Sequence, residues 1–100
     1  MLTFNLKKEW FEKIKSGEKT HEFREYNAYW IARINNFLKK NNYAFPMKCC
    51  FACGYPNKLD KDKFLYAYVT NVQLVNGLNT DLKINKIVFN IWFELIEEAK

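Results

Sequence analysis

A helix stop leads directly into an alternating strand pattern in one short segment: Ser16-Gly17-Glu18-Lys19-Thr20-His21-Glu22-Phe23-Arg24-Glu25. Gly17 is suited to the left-handed backbone conformation that ends many helices. Side chains of a strand alternate with a period of two, so Thr20, Glu22 and Arg24 share one face. The segment therefore predicts a strand over about residues 19–25 that presents a hydroxyl, a carboxylate and a guanidinium together.

Lys19 stands at the start of this predicted strand, nominally on the face opposite Glu22. Its four-carbon side chain is long enough to bring the ammonium group round to the same side. We therefore expect Lys19 to join Glu22 and Arg24 in one charged cluster.

Both segments that flank this strand have the pattern of amphipathic helices. The first is predicted over about residues 7–16 from apolar residues at helical spacing, namely Leu6, Trp10, Phe11 and Ile14. The second is predicted over residues 27–40 from the stripe Ile31, Ile34 and Leu38.

The rest of the chain has mainly strand patterns. Alternation predicts strands at residues 2–6 and 87–95, the last with one buried side, and apolar-rich segments next to turn residues predict strands at 47–53 and 64–75. Asn76-Gly77 is a turn dipeptide that ends the long strand, and residues 78–85 are expected to form a loop with one short strand. The predicted helices lie early in the chain and most of the predicted strands lie later. This order predicts one α+β domain, spanning residues 1–100, around a curved sheet.

The segment from Gly17 to Arg24 resembles the N-terminal signature of the ASCH family, a branch of the PUA-like superfamily. That signature reads G-x-K-T-x-E-x-R, and here it is Gly17, Lys19, Thr20, Glu22 and Arg24. Small stand-alone members from bacteria and phages follow it with an aromatic pair and a basic residue, as do Tyr29, Trp30 and Arg33. The resemblance implies a PUA-like, partly open β-barrel with two N-terminal helices and a cleft between barrel and helices.

Composition and charge narrow the function classes. The chain has 100 residues, of which 49% are hydrophobic and 18% aromatic, too apolar for a disordered tail. A formal net charge of +5 favours polyanionic partners, because Lys and Arg neutralise phosphates. No secretion signal and no apolar run of about 18 residues is visible, so we expect no membrane span.

The three cysteines fall in one segment, at Cys49, Cys50 and Cys53. Neighbouring cysteines on a strand point to opposite faces, so we expect free thiols and a cytoplasmic location. The single histidine, His21, and one cysteine cluster do not make a zinc site, so no metal or cofactor is expected. His21 is expected to lie beside Phe23.

The predicted ligand is RNA, another single-stranded nucleic acid, or a nucleotide. In this hypothesis Lys19 and Arg24 bind phosphate or base acceptors, Glu22 accepts from an exocyclic amine, and Thr20 lies beside them. The alternative is an exposed strand on which Glu22 and Arg24 pair only with each other, which contributes little to stability. Stacking on an unpaired base is assigned to Tyr26, Tyr29 and Arg33, with Trp30 in the core.

An enzyme is the second hypothesis. Some ASCH-like proteins remove the acetyl group from N4-acetylcytidine, and cleavage of single-stranded RNA is attributed to others; Lys19 and Glu22 would then be catalytic. The family's catalytic Thr lies three residues after the Lys, where this chain has Glu22, and its distant Glu would be Glu94, Glu97 or Glu98. A third hypothesis is a phage-type protein that binds a host protein.

Overall fold

The computed structural model describes residues 1–96 of the chain. Its two helices are α1 (Lys8–Lys15) and α2 (Ala28–Lys40). Its five strands are β1 (Leu2–Leu6), β2 (His21–Glu25), β3 (Met47–Cys53), β4 (Phe64–Asn76) and β5 (Ile87–Leu95). Short 3-10 helices cover Lys61–Lys63 and Gly77–Asn79.

All five strands form one mixed sheet in the order β1-β3-β4-β5-β2. β1 pairs with β3 in parallel, and the other neighbours are antiparallel. The sheet curls into a half-barrel, which confirms the predicted α+β class. Because β1 and β2 are the two outer strands, the curl leaves the open seam of the half-barrel between them.

The core fills the concave side of the sheet. Its largest fully buried side chains include Phe4 of β1, Phe51 of β3 and Ile91 of β5. Each helix adds two buried residues at helical spacing: Phe11 and Ile14 from α1, and Ile34 and Phe37 from α2. The helices therefore close the core on the side that the sheet leaves uncovered.

Most predicted elements are confirmed, with small shifts at their ends. β3 has the predicted bounds, and Asn76 ends β4. β2 begins at His21 instead of Lys19 because the Lys19 amide still donates to the Lys13 carbonyl at 3.0 Å, as part of the helix end. Gly17 there has the expected left-handed backbone, with φ of 84°.

Two expectations about the C-terminal third were wrong. Within residues 78–85 there is no strand, because the Gly77 carbonyl accepts from the Thr80 and Ile84 amides and folds the segment into a turn. β5 is also not buried on one side only: Val88 and Asn90, on its second face, are both buried. The 77–86 loop reaches Val88, and the His21 ring contacts Asn90, which accounts for that burial.

Neither helix in residues 1–96 has the length and hydropathy needed to cross a bilayer.

Candidate functional site

The centre of the candidate site is the buried carboxylate of Glu22, which is 3% exposed. Its Oε2 accepts from Arg24 Nη2 at 2.7 Å, and its Oε1 lies 3.2 Å from Lys19 Nζ. The Phe23 amide also donates to Oε1, at 3.1 Å. Both oxygens are therefore bound by cationic or polar groups, as a buried carboxylate requires.

Lys19 does reach round to the face of Glu22, as the length of its side chain predicted. Its ammonium group forms a second ion pair, with Asp81 of the 77–86 loop. It also lies 4.8 Å from the ring centroid of Trp10 and 5.6 Å from that of Phe23. Lys19 thus connects the end of α1, the strand β2 and the distant loop.

Arg24 bridges the open seam of the half-barrel. Its Nη2 donates to the Asn5 carbonyl of β1 at 3.1 Å while it also holds Glu22 on β2. The guanidinium carbon lies 4.8 Å from the ring centroid of Trp30 and 5.3 Å from that of Phe4. One side chain therefore satisfies an unpaired carbonyl of an edge strand and packs on two aromatic rings.

These groups line a cavity of about 310 Å³, named here the Glu22 hollow. Its basic side chains are Lys7, Lys19 and Arg24. Its acidic side chains are Glu22, Glu25 and Asp81. Aromatic walls come from Trp10, Phe23 and Trp30, and amides from Asn5 and Asn27. The hollow is therefore balanced in formal charge, with hydrogen-bond donors and acceptors beside flat apolar surfaces.

A second cavity, of about 610 Å³, lies on the other side of Lys19 and Asp81, which line both. It contains His21, whose Nδ1 is 3.0 Å from Asn90 Oδ1. The His21 ring lies beside Phe23, as predicted, with centroids 6.3 Å apart.

Four of the predicted site residues do not line the Glu22 hollow. Thr20 is exposed and faces the second cavity. Tyr26 packs against Phe89, with ring centroids 5.2 Å apart. Tyr29 is 61% exposed and lies at a right angle to Trp30, and Arg33 lies 5.5 Å from the Trp30 ring centroid. The structure thus brings together Lys19, Glu22 and Arg24.

Several lining residues were missed from the sequence. Trp10 was assigned to the apolar stripe of α1, and Trp30 to the core. Trp30 does stack on Phe4, at 5.6 Å, but it also lines the hollow. Asp81 carried no sequence signal, because it lies 62 residues from Lys19 in a loop with no motif.

No cysteine within the described part of the chain lines the Glu22 hollow. Cys49 and Cys50 are buried and Cys53 is partly buried, all as free thiols. Burial raises the pKa of the Cys49 thiol to about 12, so it behaves as a small apolar residue. Among residues 1–96, no cluster of His, Cys, Asp and Glu is arranged to hold a metal ion. Glu94 is exposed on β5, and Glu97 and Glu98 lie outside the described residues.

Comparison of the sequence with protein-family models gave no match. Comparison with curated proteins also gave no match.

Proposed function

We propose that this protein is a PUA-like domain of ASCH type that binds RNA or a nucleotide, with a base in the Glu22 hollow. The observation that carries the proposal is the buried Glu22 carboxylate, bound by Lys19 and Arg24 at the floor of a cavity with tryptophan walls. Its burial distinguishes this pair from an exposed surface pair, which contributes little, and its place in an aromatic-lined cavity makes it a candidate binding group. The half-barrel and the seam beside β2 are compatible with the partly open barrel of the superfamily.

The lining chemistry suits a neutral, flat and polar group. Three cations and three carboxylates leave no surplus charge for a phosphate inside the hollow. Trp10 and Trp30 are partly exposed where they line the hollow, each with a cation 4.8 Å from its ring centroid, and stacking of an unpaired base on such a ring contributes about 1–3 kcal/mol. The Asp81 and Glu25 carboxylates can accept from an exocyclic amine, and Lys7 can donate to a base oxygen or nitrogen.

Binding is favoured over turnover by the groups in the hollow. Among the described residues that line it there is no hydroxyl, thiol or imidazole to act as a nucleophile. The position of the family's catalytic Thr is taken by Glu22, which is engaged by two cations. Incubation with N4-acetylcytidine and with single-stranded RNA tests this point, and product formation that requires Lys19 would contradict it.

The direct test is a titration in which intrinsic tryptophan fluorescence reports binding. The ligands are nucleosides, nucleoside monophosphates and short single-stranded RNA. Trp10→Leu should weaken binding by about 5- to 150-fold, the equivalent of one lost stacking contact. Trp92→Leu is the matched control, because Trp92 is exposed on β5 and does not line the hollow. No saturable binding of any of these ligands, or equal effects of the two variants, would overturn the proposal.

A further inference from the structure

The net positive charge of this protein comes from one segment of the chain. Residues 26–59 contain five basic residues and no acidic one. The remaining eleven basic residues are balanced by eleven acidic residues, so this segment accounts for the whole formal net charge of +5. It includes α2 and β3.

Three of these cations meet around one cavity. Arg33 and Lys40 project from the same side of α2, and Lys48 projects from β3. They line a space of about 590 Å³, named here the cationic hollow, together with the amide of Asn36. No acidic side chain lines it among the described residues. Its electrostatics therefore differ from those of the Glu22 hollow, in which each cation is matched by a carboxylate.

The two hollows are neighbours along the free edge of β1. Arg24 donates to the Asn5 carbonyl in the Glu22 hollow, and Arg33 donates to the Thr3 carbonyl at 3.4 Å. Those carbonyls are two residues apart on one strand, or about 7 Å. The Trp30 ring lies between the two guanidinium groups, 4.8 Å from that of Arg24 and 5.5 Å from that of Arg33.

We propose that the cationic hollow binds the phosphodiester backbone of a single-stranded RNA whose base enters the Glu22 hollow. This inference rests on the proposed function and makes its ligand a polynucleotide instead of a free nucleoside. A base needs donors, acceptors and a flat surface, which the Glu22 hollow supplies, whereas a phosphate needs unmatched cations. Lys40 and Lys48 supply these, and the exposed ring of Tyr29 lies 5.4 Å from the Arg33 guanidinium.

The test compares Lys40→Gln/Lys48→Gln with Lys83→Gln/Lys86→Gln. Each pair removes two positive charges, but Lys83 and Lys86 are exposed in the 77–86 loop and line neither hollow. Binding of a labelled single-stranded RNA of roughly eight nucleotides is measured across a salt series, with a nucleoside as the second ligand. Arg33 is left intact because it supports the edge of β1.

The plot of log affinity against log salt has a negative slope. If each lysine neutralises one phosphate, loss of Lys40 and Lys48 reduces the magnitude of that slope by about 1.4. With equal affinities at about 1 M salt, the same relation gives RNA affinity about 25-fold weaker at 0.1 M salt. Nucleoside affinity should stay unchanged, and the Lys83/Lys86 variant should bind both ligands like the unmodified protein. That pattern supports the proposal.

Other outcomes overturn it in distinguishable ways. Equal RNA affinity and slope in the two double variants would refute the cationic hollow as a backbone site while leaving the base site intact. RNA that binds no more tightly than a nucleoside would refute it in the same way. Absence of binding by RNA and nucleoside alike would instead refute the proposed function. An acidic protein captured through Lys40 and Lys48, with no RNA binding, would assign the surface to a protein partner and refute both.

Discussion

Neutralising Glu22 tests whether the charged cluster stabilises the fold as well as forming the hollow. Glu22→Gln keeps the size of the side chain and one carbonyl oxygen but removes the charge. Its amide nitrogen then faces either the Arg24 guanidinium or the Lys19 ammonium. All three groups are hydrogen-bond donors, so the facing pair cannot form a hydrogen bond. The variant therefore breaks a buried ion pair without creating a cavity.

The expected loss in the free energy of unfolding is about 3 kcal/mol. Hydrogen bonds to charged groups contribute about 1.5–3 kcal/mol each, and breaking a buried pair typically costs about 3–5 kcal/mol. The lower end applies because Arg24 keeps the Asn5 carbonyl and Lys19 keeps Asp81 as partners. For a domain of this size the melting temperature should fall by roughly 12–24 °C.

Urea denaturation of the unmodified protein, Glu22→Gln, Arg24→Gln and the double variant gives the coupling energy of the pair. We expect at least about 1.5 kcal/mol, because each single variant leaves a charged group of low exposure without one of its partners. Glu94→Gln is the matched control, since Glu94 is exposed on β5, and its effect should stay within about 0.5 kcal/mol.

Two results would refute this reasoning. One is a Glu22→Gln effect as small as that of Glu94→Gln. The other is a coupling energy that disappears in 0.5 M salt, because screening removes interactions between exposed charges and leaves buried pairs largely intact.

Three further predictions concern the elements around the site. Gly77→Ala should destabilise the fold by about 1–3 kcal/mol in urea, because its Cβ would lie 2.7 Å from the Ile84 carbonyl oxygen; an unchanged midpoint contradicts this. Asn27→Ala should cost about 1 kcal/mol, since its side chain caps α2 by accepting from the Trp30 amide at 2.9 Å, and Asn27→Ser should retain most of that stability. Burial raises the pKa of Cys49 from 9.0 to about 12, so its contribution to stability is intact below pH 9 and falls as the pH rises. The stability gap between the unmodified protein and Cys49→Ala should narrow by about 1.4 kcal/mol from pH 7 to pH 10, and a constant gap would exclude this linkage.

The elements with strong local signals could be predicted from the sequence. β5 follows from alternation of apolar side chains, β3 from the turn residues on either side of it, and the end of α1 from Gly17, whose φ is 84°. The proximity of Glu22 and Arg24 also followed from a local rule, since residues two apart on a strand share a face. Their burial did not follow, because it depends on how the sheet curls.

The walls of the hollow could not be predicted for the same reason. Asp81 reaches Lys19 through a loop whose shape depends on the close approach of Gly77 to Ile84, a contact with no sequence motif. The family resemblance placed Arg33 at the border of the site, but the sequence could not show on which side of the seam that part of α2 lies. In the structure Arg33 lines the cationic hollow, although it was predicted to border the same site as Glu22.

The residues that form the hollow are also the residues that hold the seam of the half-barrel. Arg24 links β2 to the Asn5 carbonyl of β1, so any change at Arg24 alters the distance between the two edge strands as well as the ligand contacts. Stability and affinity are therefore mixed in every variant of Glu22 or Arg24. Trp10 lies on a wall of the hollow and Lys40 on an exposed helix face, outside this hydrogen-bonded link. Loss of binding at those two positions, with the unfolding midpoint retained, separates recognition from folding in a way that the central ion pair cannot.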